Sequence, residues 1–197
     1  MMKKLFLWGI LIACLGNLQA QSLTSDDFHK LTPYLKAREW KSAFDQSSHM
    51  LKTHAKDTSD YHAKIVYINI FSAAAMVSES QMSYERLTKA VMKFVGQKII
   101  MAYHQITYDT TKVLGFTSIE SNDTINQSFT AVCNEAGTNI YCFEICRFKD
   151  RVNLADYKEG DLVQCGGRLD ILETNPCKSD IWILSMTLTQ GFVKKDE

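Results

Sequence analysis

Proline and net charge are both scarce in this chain of 197 residues, which has two prolines and balances 22 basic with 22 acidic residues. So little proline excludes collagen-like and mucin-like repeats, and a content of 46% apolar residues excludes intrinsic disorder. The balanced charge provides no bulk attraction to a polyanion or an anionic membrane. After residue 20 no stretch is apolar enough, over enough residues, to cross a bilayer.

The motifs of common catalytic and metal sites are missing as well. The sequence has no Cys-x-x-Cys pair and no Gly-x-Ser-x-Gly elbow, and no cysteine lies beside a histidine. His49 and His54 are five residues apart, which misses the spacing of four that puts two ligands on one helical face. His104 has no evident partner. We therefore predict no catalytic residue, no metal site and no cofactor.

The first twenty residues have the pattern of a secretory signal peptide. Lys3 and Lys4 precede an apolar run over residues 5 to 15, which is too short to span a bilayer and is followed by small and polar residues. Two endings are open: cleavage after Ala20, or lipid modification at Cys14, whose preceding residues resemble the bacterial lipobox. Both endings predict an exported protein of the periplasm or cell envelope.

Residues 21–96 have the pattern of a helical region. The region contains no glycine before its last residue and only one proline, Pro33, and its apolar residues recur every three or four positions. Candidate N-caps at Ser25, at residues 58–60 and at Ser83 divide it into four predicted helices. The third of these is apolar on several sides and is therefore predicted to be the most buried.

A helical repeat is one interpretation of this region. Residues 38–44 with Met50 and Leu51 resemble the turn and second helix of a tetratricopeptide-type unit, and Ser83 with Tyr84 begins a looser copy. The resemblance implies antiparallel helical hairpins. The repeat spacing exceeds the usual unit of about 34 residues, so two ordinary hairpins with aromatic residues in their core are the alternative.

After Gly96 the hydrophobic pattern changes to the alternation of β-strands. Five strands are predicted, with a short helix or turn around residues 154–158 between the third and the fourth. A loop with Gly137 at its left-handed position joins the second and third strands. The predicted strands cover residues 97–107 with 113–120 as one long or broken strand, then 126–133, 140–148, 161–172 and 181–189.

The order of these elements resembles an OB-fold, the small Greek-key barrel with a helix between its third and fourth strands. Residues 141–169, which include a Gly160-Asp161 turn and a glycine pair at 166–167, look like the tRNA-anticodon-like proteins of that type. The fold class is therefore predicted as α+β, with N-terminal antiparallel helical hairpins followed by a C-terminal five-stranded OB-like β-barrel. The predicted units are a signal peptide at 1–20, a helical region at 21–96 and the barrel at 97–197.

Alternation also predicts which side chains enter the core. In the third strand the set with Tyr141, Phe143 and Ile145 is expected to face inward, because the other set would bury the carboxylate of Glu144. The remaining residues expected in the core are Phe129, Ala131 and Cys133 of the second strand and Val163, Cys165 and Leu169 of the fourth.

One disulfide follows from the resemblance. The OB-like strand order implies that the fifth strand lies parallel beside the third, which brings Cys177 near Cys142 at the start of the third strand. We predict that these two cysteines form the only disulfide, and free thiols throughout are the alternative.

Charge bears on the choice of ligand. Residues 97–197 contain ten basic and fourteen acidic residues, so nucleic acid is an unfavourable partner for the predicted barrel. Its one basic cluster, Arg147, Lys149 and Arg151, is a weak candidate for ligand binding, and a solvated strand end is the alternative.

Together these features predict an exported, non-enzymatic binding or adaptor module whose partner is another envelope protein or a glycan. Exposed, coplanar aromatic residues on the second and third strands would favour an oligosaccharide-binding barrel. Buried charged groups in a cleft between the two halves would favour an envelope hydrolase.

Overall fold

The computed structural model describes residues 22–108, 116–179 and 181–196. It confirms the α+β class: helices come first and a curled mixed sheet follows. The predicted signal peptide, with Cys14 and Ala20, lies outside the described residues.

The helices of the described part occupy the region predicted from the sequence. The predicted first helix is divided in two, with Pro33 in the first turn of the second piece, where a missing N–H costs nothing. The helices are α1 (Ser25–His29), α2 (Thr32–Ala37), α3 (Trp40–Thr53), α4 (Asp60–Ser78) and α5 (Tyr84–Val91).

Side-chain caps begin three of these helices. Thr24, one residue before the expected cap, forms a capping box with Asp27 at the start of α1. The hydroxyls of Ser59 and Ser83 accept hydrogen bonds from backbone N–H groups of α4 and α5, as predicted. Helix α4 is buried along most of its length, which confirms its central position.

The sheet contains six strands in the described residues, so the prediction of five was wrong. The segment predicted as the first strand forms two strands, which lie at opposite edges of the sheet. The prediction missed this because an alternating pattern indicates a strand but not the strand with which it pairs. The strands are β1 (Lys98–Gln105), β2 (Thr117–Ser121), β3 (Asn126–Cys133), β4 (Ile140–Phe148), β5 (Leu162–Thr174) and β6 (Leu184–Lys195).

The strand order is β1-β5-β6-β4-β3-β2, with β4 and β6 parallel and the other neighbours antiparallel. The parallel pair confirms the expected placement of the last strand. The sheet curls so strongly that a bridge between Ile106 and Thr117 joins the ends of its two edges. A short 3₁₀ turn over Leu154–Asp156 lies between β4 and β5, where a helix or turn was expected.

Glycine permits the curl at Gly166 in β5. A Cβ atom there would lie 2.8 Å from the carbonyl oxygen of Ile99 and 2.7 Å from the ring of Phe192. Both distances are shorter than any ordinary contact, so only glycine lets β1 and β6 approach this closely.

The prediction of the inward face of β4 held for Tyr141, which is buried in the core, and was wrong for Phe143 and Ile145. Cys142, Glu144 and Cys146 are fully buried, whereas Phe143 and Ile145 are half-buried on the opposite face. Strand β3 follows the same register, because Ser128 and Thr130 are fully buried opposite Cys146 and Glu144, whereas Phe129 and Cys133 are only half-buried. The expectation held for Ala131, which is buried, and for Val163, Cys165 and Leu169 of β5.

One hydrophobic core runs from the helices into the inner face of the sheet. At this junction Trp40 of α3, Phe71 of α4 and Tyr141 of β4 pack edge to face, with ring centroids 5.6 to 5.9 Å apart. The indole N–H of Trp40 donates a 2.6 Å hydrogen bond to Glu79. These contacts hold the helical region against the sheet.

Candidate functional site

Three aromatic side chains form a strip on the outer face of the sheet, defined here as the aromatic strip: Phe129 of β3, Phe143 of β4 and Trp182, which precedes β6. The rings of Phe129 and Phe143 are stacked, with centroids 6.3 Å apart and planes inclined by 28°. The centroid of Trp182 lies 5.1 Å from that of Phe143. The two phenylalanines lie on the strands where exposed, coplanar aromatics were named as the sign of an oligosaccharide-binding barrel, and they are half-buried.

The aromatic strip is separate from the hydrophobic core. Its three members are half-buried, and none belongs to the core cluster or to the partly buried residues packed against that cluster. The strand register explains why these rings lie outside the core. Phe143 lies beside Ser185 of the parallel strand β6, and Phe129 lies opposite Ile145. Side chains at these positions point away from the face that carries Glu144, because successive residues of a strand alternate.

The basic cluster predicted from the sequence lies at the far end of β4. Arg147 is exposed opposite Gln127 of β3, about 13 Å along the strand from Phe143 and on the same face. Lys149 is exposed in the following turn, and Arg151 is paired with Asp123 at 3.1 Å. Arg147 is therefore the member of the cluster that can reach a ligand extending along the aromatic strip.

A buried carboxyl group lies between the helices and the sheet. Glu144 is fully buried, and its Oε1 accepts a 2.9 Å hydrogen bond from the hydroxyl of Tyr67 on α4. Burial raises the pKa of Glu144 to about 8, although hydrogen bonds from Tyr67 and Cys142 act in the opposite direction. Burial also raises the pKa of Tyr67 well above its usual value, so its hydroxyl remains a donor.

The predicted disulfide involves a cysteine of the same cluster. Cys142 is fully buried, and burial raises the pKa of its thiol well above the usual value. The side chain of Cys177 lies outside the described residues, so the pairing stays a prediction. Two other thiols lie inside the curled sheet: Cys146 donates to the carbonyl of Gly166, and Cys165 accepts from Ser128, each at 3.4 Å.

The histidines are dispersed. His104 is largely buried on β1 opposite Val163, and burial lowers its pKa to about 4. Across residues 22–108, 116–179 and 181–196, no three histidine, cysteine or acidic side chains come together in a way that could hold a metal ion. Over those same ranges, every helix is either too short or too polar to cross a bilayer.

Part of this arrangement was predicted from the sequence. The strands and the aromatic criterion were named, but Phe129 and Phe143 were expected in the core and Trp182 was not singled out. The missed signal was in β3, where Ser128 and Thr130 alternate with Phe129 and Ala131 and match the polar inner set of β4. Comparison of the chain with protein-family models, with curated proteins and with solved structures found no match.

Proposed function

We propose that this protein is an exported, non-enzymatic binding module of the cell envelope whose sheet, a barrel of the OB type, takes an oligosaccharide on its outer face. The observation that carries this proposal is the aromatic strip of Phe129, Phe143 and Trp182. The helical region, interpreted as antiparallel hairpins, supports the sheet from its other side.

Sugar chemistry suits such a strip. A pyranose ring presents one face of C–H groups, which carry partial positive charge, and an aromatic ring presents a negative face. The hydroxyl groups around the edge of the sugar need polar partners, and oligosaccharides are among the ligands of OB barrels. A surface of aromatic rings bordered by hydrogen-bonding side chains therefore meets both requirements.

Polar side chains border the aromatic strip. Ser185 lies beside Phe143 in the parallel pair, and its hydroxyl is within 3.4 Å of the carboxylate of Glu173 on β5. Gln127 and Arg147 lie across from each other further along β3 and β4. These groups offer both donors and acceptors to sugar hydroxyls.

A binding role is favoured over a hydrolytic one. A hydrolase would need its charged groups in a cleft that substrate can enter, whereas the ionisable pair between the halves, Tyr67 and Glu144, is sealed from solvent. Export, as predicted from the first twenty residues, places the protein where glycans are abundant and nucleic acid is scarce.

The test is a screen of the purified chain, without residues 1–20, on a broad glycan array, followed by titration calorimetry with each hit. Trp182→Ala and Phe143→Ala should weaken binding about tenfold or more, because each removes one stacking surface. Tyr103→Ala is the matched control, since Tyr103 is an aromatic residue that is 44% exposed on β1. Binding that survives both strip variants, or an array without hits, would contradict the proposal.

Fluorescence gives an independent reading. After removal of residues 1–20 the chain has two tryptophans, Trp40 and Trp182, and Trp40 is only 6% exposed. A saturable change in emission on adding the glycan should therefore come from Trp182 and disappear in Trp182→Phe.

A further inference from the structure

A second surface, remote from the aromatic strip, lies between the helices and the start of the sheet. It is a groove of about 820 Å³ where the α3–α4 connection faces the α5–β1 connection, and it is called the lysine groove below. Its volume is at the upper end of the range for ligand pockets. Its floor includes the apolar side chains of Leu51, Ala63 and Phe94.

Lysines occupy both walls. Lys52 and Lys56 line one side, and Lys93 and Lys98 line the other. Lys98 is paired with Asp60 at 2.7 Å, whereas none of the ion pairs among the described residues involves the other three. The groove therefore offers three lysines, from both walls, that no ion pair of the described residues neutralises.

The acidic residue that lines the groove offsets one of these charges. Asp57 is buried, and its carboxylate accepts hydrogen bonds from the backbone N–H groups of Leu23 and Ser59 and from the Ser59 hydroxyl. Burial would raise the pKa of Asp57, but these bonds together outweigh it and lower that pKa, so the carboxylate is ionised and the groove keeps an excess of two positive charges. Burial lowers the pKa of His62, so the lysines carry the positive charge of the groove at neutral pH.

We infer that the lysine groove binds an acidic, extended polypeptide segment of a partner protein. Charge complementarity requires an anionic ligand, and the apolar floor requires one that also carries apolar side chains. The lysines come from two separate segments, residues 52–56 and 93–98, and a chain of carboxylates offers several negative groups along its length with which to meet them. The ammonium of lysine is a compact charge on a flexible side chain, so it can pair with a carboxylate in many orientations.

Nucleic acid fits the groove less well. Single-stranded nucleic acids bind through exposed aromatic faces on which bases stack. The groove is lined by the phenyl ring of Phe94, which is 4% exposed and has the ammonium of Lys93 4.9 Å from its centroid, and by the half-buried imidazole of His62. An oligonucleotide would therefore gain phosphate contacts there but little stacking.

The experiment uses a fluorescein-labelled nonapeptide of glutamates and leucines, with its glutamine counterpart as the uncharged probe. Fluorescence anisotropy at low salt should show saturable binding of the glutamate peptide only, and the affinity should fall as salt screens the charges. Lys56→Glu combined with Lys93→Glu should weaken binding by about tenfold or more. Lys36→Glu combined with Lys89→Glu changes the net charge equally at exposed sites outside the groove and should leave binding unchanged.

Three results would overturn the inference: no binding of the glutamate peptide, equal binding by the groove variant, or equal losses in both double variants. A single-stranded oligonucleotide or vesicles of anionic lipid that bind more tightly than the peptide, and lose binding in the groove variant, would also overturn it. Trp182→Ala should not affect peptide binding. The proposal for the lysine groove and the proposal for the aromatic strip can therefore be refuted separately.

Discussion

The hydroxyl of Tyr67 on α4 donates a 2.9 Å hydrogen bond to the buried carboxyl oxygen of Glu144 on β4, 77 residues further along the chain. This bond joins the helical region to the centre of the sheet. It also supplies a partner for a group that would otherwise be costly to bury.

Tyr67→Phe should destabilise the fold by about 1 to 3 kcal/mol, because it leaves a buried carboxyl oxygen without its donor. Urea denaturation at neutral pH measures the loss. Tyr103→Phe removes a hydroxyl from an exposed tyrosine and should change the free energy of unfolding little. Equal effects of the two substitutions would show that the Tyr67 bond contributes nothing specific.

The raised pKa of Glu144 predicts a stability that falls as pH rises. The folded protein holds this proton up to pH about 8, whereas an unfolded chain releases it near 4.5. The contribution of Glu144 to the free energy of unfolding is therefore complete below pH 4.5 and is lost as pH rises to about 8. Over that range the free energy of unfolding falls by at most about 1 kcal/mol per pH unit. Glu144→Gln should remove this slope, since the amide keeps an acceptor for Tyr67 and does not ionise.

The free energy of unfolding should be measured between pH 6.5 and 8. Below that range His104 acts in the opposite sense, because its lowered folded pKa of about 4 makes the protein gain stability as pH rises from about 4 toward 6.5. Asp27, with a pKa lowered to about 2, loses its contribution only in acid. A wild-type free energy of unfolding that is flat across the window would show that Glu144 is not protonated in the folded state.

The case of Glu144 also shows why the sequence predicted the strands better than their faces. The bounds of β3 and β4 follow from alternation and from the loop around Gly137, whose φ is +67°, and both were confirmed. The inward face was inferred from the cost of burying a carboxylate. That cost is smaller when the group is protonated and bonded to Tyr67, a residue from a distant helix that alternation within the strand cannot reveal.

Strand pairing was the other limit. Residues 97–107 and 113–120 were predicted as one long or broken strand, yet β1 and β2 lie at opposite edges of the sheet. Local signals did place the caps at Ser59 and Ser83, because a cap depends on neighbouring backbone groups. The lysine groove, in contrast, is assembled from segments about forty residues apart and has no local pattern.

Gly166→Ala should destabilise the protein by about 1 to 3 kcal/mol, because the new methyl group would overlap the Ile99 carbonyl and the Phe192 ring. Thermal unfolding followed by circular dichroism measures the change. Leu162→Ala, at an exposed position in the same strand, is the control for loss of strand propensity. An unchanged melting temperature in Gly166→Ala would mean that the Ile99 carbonyl of β1 and the Phe192 ring of β6 leave room for a methyl group beside β5.

Affinity for single-stranded DNA or RNA should be negligible at physiological salt. The aromatic strip could stack bases as it could stack sugars, so charge has to decide between the two ligands. Residues 97–197 carry an excess of four acidic residues, and of the three basic residues near the end of β4, Arg151 is already paired with Asp123. A nucleic acid would therefore meet few free cations along the strip.

Fluorescence anisotropy with a labelled oligonucleotide of random sequence tests this expectation. Weak binding that vanishes with modest salt would be the nonspecific contribution of exposed lysines. Tight binding with a steep salt dependence, lost in Arg147→Ala and in Phe143→Ala, would instead show that the strip is a nucleic-acid surface. The same two substitutions should weaken glycan binding if the proposal is correct, so this pair of variants shows which of the two ligands uses the strip.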